Sequence, residues 1–419
     1  MRIAAVAEET HDKMSSQTDN VQTEDIIELK GLRVAVRQPR VVAETSQGHC
    51  WFPDLLKFST GDLMLNHSLN SDANENAFNA QAVYVSTNGG RTFDFAYDVN
   101  GFHNGGGEPR IALPNGRIIG TSTFLKPDPQ GDKRRFVAHR WTYDRGGRRY
   151  AVEPWGAAVS GLPKDVAPYP NPSRTWWSRI NWFSDIIRLK DGALLSTLSL
   201  RFGEDKREST VALISPDEGR NWKYLSTVAD GDAVPDATEG FDEACLVEIK
   251  TGELMCVSRV GSGEGQRLAR TYSRDSGKTW SPVDRLPAAS VAPQICQTAD
   301  GTLVLSTGRP GVFLWFSTDA RGESWQSFDV IAFHNRVVAP ASRMTSGQTT
   351  SYTAMVEAAP DELLLVYDRT PFGWSPVKTD SGERSQIFLL AFRVFRPSMQ
   401  DSQQTRSQVK QGQGGSDRR

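Results

Sequence analysis

The chain has 419 residues, of which 38% are hydrophobic and 23% charged, with a formal net charge of −2. Such a balance supplies a large core but none of the basic excess that nucleic-acid binding needs. No apolar run approaches the roughly 20 residues that cross a bilayer as a helix, so no membrane span is expected.

Residues 1–23 are polar and read as disordered. They lack the apolar stretch of a secretory leader, so the chain as written reads as cytoplasmic; a different start would allow export. Residues 24–397 form one domain of all-β pattern, with short apolar runs separated by Gly, Asn, Asp and Pro. Residues 398–419, rich in Ser, Gln, Arg and Gly, read as a disordered tail. No long stretch has helical period.

Within the domain one unit recurs: an apolar run, a tight turn, a second apolar run. The first copy begins at Trp51 and turns at Gly61. Others run from Pro109 through Gly116, Phe183 through Gly192, Glu243 through Gly252, Pro293 through Gly301 and Tyr352 through Asp361. Each is a hairpin whose turn favours a residue that accepts positive φ. A second repeat follows the pattern S-x-D-x-G-x-x-W. It is clean at Ser215–Trp222 and Ser273–Trp280, softened at Ser86–Phe93 and one residue longer at Ser317–Trp325. Thr142, Asp144 and Gly146 look like a decayed copy. In such a turn the Asp side chain caps backbone N–H groups and the aromatic packs beneath, so its role is structural.

Six units of about four strands each have two apolar faces and are unstable alone. Packed radially they bury every face, which predicts a six-bladed β-propeller. Its last strand, over residues 386–396, should pair with residues between 26 and 44 and so remove free edges. The four cysteines, Cys50, Cys245, Cys256 and Cys296, form no CxxC pair. They read as buried apolar residues, Cys245 and Cys256 facing one another across a hairpin at most. Neither a metal nor a cofactor is expected.

In a propeller the residues opening each inner strand converge. Here they are Trp51, Glu108, Phe183, Glu243, Pro293 and Tyr352: acids, a phenol and aromatics suited to a sugar. A second ring, seven to nine residues past each turn, holds Arg201, Arg259, Arg309 and Arg369. Clustered guanidinium groups repel one another unless an anion lies among them, which points to an anionic carbohydrate as partner.

The S-x-D-x-G-x-x-W turns resemble the Asp-boxes, or BNR repeats, of the sialidase (neuraminidase) superfamily, and the resemblance covers roughly residues 45–395. It implies an exo-acting, retaining glycoside hydrolase. Glu243 and Arg259 resemble that family's Glu and second carboxylate-binding Arg, and Arg309 before Ser317 its third. Tyr352, after Thr350 and Ser351, resembles its nucleophile. A phenol activated by a carboxylate suits a substrate that carries its own carboxylate at the anomeric carbon. The family's acid/base Asp lies on a loop after the first hairpin. There Asp72 is the candidate, with Glu75 second. The first Arg of the family's triad is replaced by Trp51, and the acid that braces it corresponds to Asp368. Arg201, Arg369 or Arg110 are the stand-ins available. Two readings follow: a hydrolase using Tyr352, Glu243 and the arginines, or a carbohydrate-binding propeller or a lyase or hydrolase for another acidic glycan.

Overall fold

Short apolar runs broken by turn residues pair with their sequence neighbours, because a tight turn brings consecutive strands together at the smallest entropic cost. The computed structural model describes residues 24–396 apart from 71–79, 101–108, 124, 130, 132–133, 145, 147, 168–179, 262–265 and 290. The segments read as disordered ends lie outside the described residues.

The structure is nearly all β, a series of antiparallel meanders. The first contains Trp51–Lys57, Leu63–Ser68, Ala80–Ser86 and Asp94–Asn100. The second and third, built around Phe136–Tyr143 and Leu194–Leu200, merge into one ten-stranded sheet. They join through a short parallel pairing of Ala158 with Asn221, Val159 with Trp222 and Ser160 with Lys223. The fourth starts at Asp242–Glu248 and the fifth at Gln294–Gln297. In the sixth, Thr353–Ala359, Glu362–Arg369 and Ser385–Phe395 are completed by the N-terminal strand Leu32–Val36. A further N-terminal strand, Arg40–Thr45, pairs with the first half of Ser385–Phe395. The chain ends thus meet in one sheet as expected. Among the described residues one α-helix appears, Val330–Val337, N-capped by Asp329, whose carboxylate accepts the Ala332 N–H.

All six expected hairpins form. Their turns pass through positive φ, supplied by glycine in five and by Asp361 in the sixth. Each meander shares a buried apolar cluster with the next. Phe58, Met64 and Val83 of the first meet Ile118 and Trp141 of the second. The second and third are joined around Ile119, Leu198 and Trp222, and the third and fourth around Leu195 and Leu246. Met255 and Leu305 link the fourth to the fifth, and Leu314 and Leu365 the fifth to the sixth. The circuit returns to the first through Leu55, Leu65, Val366 and Ile387. All four cysteines are free. Cys245 and Cys256 do not face each other: Cys245 pairs with Val257 and Cys256 with Leu246. The two thiols therefore point to opposite faces and join different clusters.

The repeated S-x-D-x-G-x-x-W turns close on themselves. Ser273 Oγ donates to Asp275 and accepts the Gly277 N–H at 2.8 Å, while Thr279 N–H and hydroxyl donate to Asp275. Trp280 Nε1 donates to the Gly277 carbonyl at 3.2 Å. The copies at Ser215 and Ser317 repeat this pattern of bonds. At the decayed copy, Asp144 caps its turn by accepting the Arg149 N–H. The Thr279 bonds hold the Asp275 carboxyl at about 2. A depressed carboxyl contributes stability above its unfolded value of about 4 and loses it as pH falls toward 2. The melting temperature of Asp275→Ala should therefore lie below wild type at neutral pH, and the gap should narrow on acidification below about pH 4. A gap independent of pH would refute the carboxylate's part.

Candidate active site

Where the inner strands begin, the chain leaves the regular pleat. The register slips between Trp51 and Asp54 in the first meander and between Asp242 and Cys245 in the fourth. Phe52, Glu243, Ala292 and Ser351 take φ of 50°, 39°, 38° and 67° at corresponding places in four meanders. Left-handed backbone costs an L-residue about 1–2 kcal/mol, and such strain concentrates at functional sites. Its effect is to turn a side chain off the sheet face toward the rim.

Glu243 is the hub. Its Oε1 accepts the Tyr352 hydroxyl. Its Oε2 accepts Arg259 Nη1 at 2.9 Å and the Ala292 N–H at 2.8 Å. The carboxylate, 4% exposed, therefore ties the fourth, fifth and sixth meanders together. The fifth contributes the backbone of Ala292 rather than Pro293. Burial opposes the charge of Arg259, but Glu243, Tyr352 and Asp242 outweigh it and hold the guanidinium protonated. Burial and the Glu243 charge push the half-buried Tyr352 phenol up, with Arg259 and Arg309 pulling back. The resting pair is thus a neutral phenol donating to a carboxylate, the geometry of a nucleophile beside its base.

Asp242 was not singled out in the sequence, although an Asp-Glu pair opening an inner strand is a visible signal. Its Oδ1 accepts the Glu243 N–H at 2.7 Å. Burial and then the Glu243 charge raise its carboxyl to about 6, against the pull of Arg259 and a bond from Ser199.

Arg309 differs from Arg259. Its guanidinium lies 5.9 Å from the Tyr352 ring and 5.4 Å from the Trp374 ring. It donates to the Thr350 carbonyl at 3.4 Å, and among the described residues it has no carboxylate partner.

The position of the missing arginine is apolar. Trp51 itself is 1% exposed, so as a substrate contact it is corrected. The bulge turns Phe52, not Trp51, toward Tyr352, at 4.9 Å ring to ring. Trp51 backs Trp374 at 5.3 Å instead. Asp368 needs no guanidinium: fully buried, it accepts bonds from the Thr349 hydroxyl, the Thr350 hydroxyl and N–H, and the Phe52 N–H.

The remaining arginines stand elsewhere. Arg369 is 4% exposed, with its guanidinium held by the Arg343 and Arg384 carbonyls and by Glu383 at 2.9 Å, so it is part of the wall. Arg201 is half-buried, with Nε unpartnered among the described residues. Arg110 is buried against Asp54. Phe183 is half-buried in the third meander. Asp72, Glu75 and Glu108 lie outside the described residues. Among the described residues no three His, Cys, Asp or Glu side chains gather as metal ligands. None of the described helices is long and apolar enough to cross a membrane.

Neither a family model nor a curated protein sequence matches the chain. Solved structures do. A protein of unknown function from Dyadobacter fermentans superposes with a TM-score of 0.63 at 16% identity, over 88% of this chain and 100% of that one. The Hadza microbial sialidase Hz136 gives a TM-score of 0.57 at 15% identity, over 86% and 68%. The Penicillium chrysogenum alpha-L-arabinanase gives 0.56 at 14%, over 84% and 98%. At these identities the likeness speaks for fold, and the fold is that of the propeller glycosidases.

Proposed function

We propose that the chain is a closed six-bladed propeller acting as a retaining, exo-acting glycoside hydrolase on an anionic sugar. The unbroken circuit of apolar clusters around six meanders supports the blade count. The observation that carries the chemistry is the Tyr352 hydroxyl bonded to one Glu243 oxygen while Arg259 holds the other. Tyr352 Oη attacks the anomeric carbon and its proton passes to Glu243. The bond to the leaving oxygen breaks as an acid protonates it, a part for Asp72 or Glu75. Water then reverses the sequence, and two inversions give retention. Arg259 orients Glu243 and compensates its charge, which leaves Arg309 as the anion-binding cation. The neighbouring sialidase and arabinanase structures agree with a glycosidase in general.

The test is a panel of nitrophenyl glycosides, anionic and neutral, with the product anomer followed by NMR. Turnover with retention, lost in Glu243→Gln, is expected. Inversion would overturn the covalent step. Saturable sugar binding without turnover on any substrate would favour the second reading, a carbohydrate-binding propeller, which the apolar filling by Phe52 and Trp51 supports.

A further inference from the structure

Asp368 lies near the end of the strand Glu362–Arg369, fully buried, and its two oxygens accept four hydrogen bonds from segments that form the site. Oδ1 takes the Thr349 hydroxyl at 2.7 Å and the Thr350 N–H at 2.8 Å. Oδ2 takes the Thr350 hydroxyl and, at 3.3 Å, the Phe52 N–H. Four donors around two oxygens call for an ionised carboxylate, which has acceptors on both atoms and no proton of its own.

The bonds continue past the two threonines. A hydroxyl has one proton to give, and here it goes to Asp368, so each oxygen turns its lone pairs to the backbone ahead. Thr349 Oγ1 accepts the Ser351 N–H at 3.0 Å, and Thr350 Oγ1 the Tyr352 N–H at 3.4 Å. These bonds brace the turn in which Ser351 takes a φ of 67°. The same turn accepts Arg309 Nη2 at the Thr350 carbonyl. On the other side, the bond from Phe52 braces a second residue of positive φ, 50°, whose ring packs on Tyr352. One carboxylate thus reaches Tyr352 by two routes, through its backbone and through the ring beside it.

We propose that Asp368 is the positioning residue of the site. Through Thr349 and Thr350 it fixes the turn that presents the Tyr352 hydroxyl to Glu243, and through Phe52 it fixes the ring behind that phenol. The kinetic part of this role rests on the glycosidase reading above; the structural part does not, because it is read without substrate.

The experiment is NMR of the full chain with ring-labelled tyrosine, read as the exchange rate of the Tyr352 hydroxyl proton and assigned by the signal that Tyr352→Phe removes. Asp368→Asn sets an amide donor among donors, which should loosen the turn and quicken that exchange about tenfold. Thr350→Val deletes one hydroxyl at nearly constant volume. It should act in the same direction, and it decides the matter if the buried Asn prevents folding. Thr350→Ser, which restores the hydroxyl, should recover most of the loss. On the best substrate of the glycoside panel, kcat should fall about tenfold or more in Asp368→Asn and Thr350→Val, with KM within a few-fold of wild type. Exchange at the wild-type rate in both variants, whatever the melting temperature does, would make Asp368 a core acceptor only and overturn the proposal. So would Thr350→Ser behaving like Thr350→Val. Quickened exchange in a protein that turns over no sugar would instead sink the hydrolase reading and leave this one standing.

Discussion

Tyr352→Phe should lower turnover by about a thousandfold or more while leaving sugar affinity within a few-fold of wild type, as removal of a covalent nucleophile does. The substitution deletes one hydroxyl and keeps the ring that packs on Phe52 at 4.9 Å. The melting temperature should therefore move little. Glu243 loses the bond from the phenol but keeps those from Arg259 and Ala292, so it is not left unpaired. Steady-state kinetics on the best substrate of the glycoside panel, with the melting curve of the same preparation, makes the check. Unchanged turnover would move the chemistry away from the Tyr352–Glu243 pair.

The largest effect on stability is expected at Arg110. Asp54 and Arg110 are 0% and 6% exposed and form an ion pair between the inner strands of the first two meanders. Asp185 of the third feels the same guanidinium: burial raises its carboxyl and Arg110 draws it back. The Arg110 carbonyl also accepts the Ile186 N–H at 3.1 Å, so one residue links three meanders. Removing one partner of a buried pair strands the other, at a cost of about 3–5 kcal/mol. Arg110→Ala should lose that much in urea denaturation, and the double variant with Asp54→Ala should lose less than the two single losses added. A loss below about 1 kcal/mol would mean that Asp54 and Asp185 take up protons or water without penalty.

Features set by local chemistry were legible in the sequence. A turn glycine and its flanking apolar runs lie within a few residues of each other, so all six hairpins could be placed. Glu243, Arg259, Arg309 and Tyr352 were chosen from their positions relative to those turns, and the structure gathers them into one cluster. What escaped depends on contacts distant in sequence. Nothing around Trp51 reveals that a bulge buries it and presents Phe52 instead. Nothing around Asp368 announces that Thr349 and Thr350 satisfy it. Arg369 occupies the same repeat position as Arg259, yet Glu383, on the segment leading into Ser385–Phe395, claims it. Trp374 belongs to that same segment, outside both repeats, where no periodicity points to it.

The pairing of Leu32–Val36 with Ser385–Phe395 also constrains how the protein is made. The first of these strands leaves the ribosome before any of the six meanders, and the second only after the first five have emerged. During synthesis the early strand can pair only with its hairpin neighbour Asp25–Leu29, which leaves its other edge open, a hazard for association with other nascent chains. The preceding meanders can form by local pairing as they emerge, but the last sheet waits for Ser385–Phe395. The slow step in biogenesis is then a search between segments far apart in sequence.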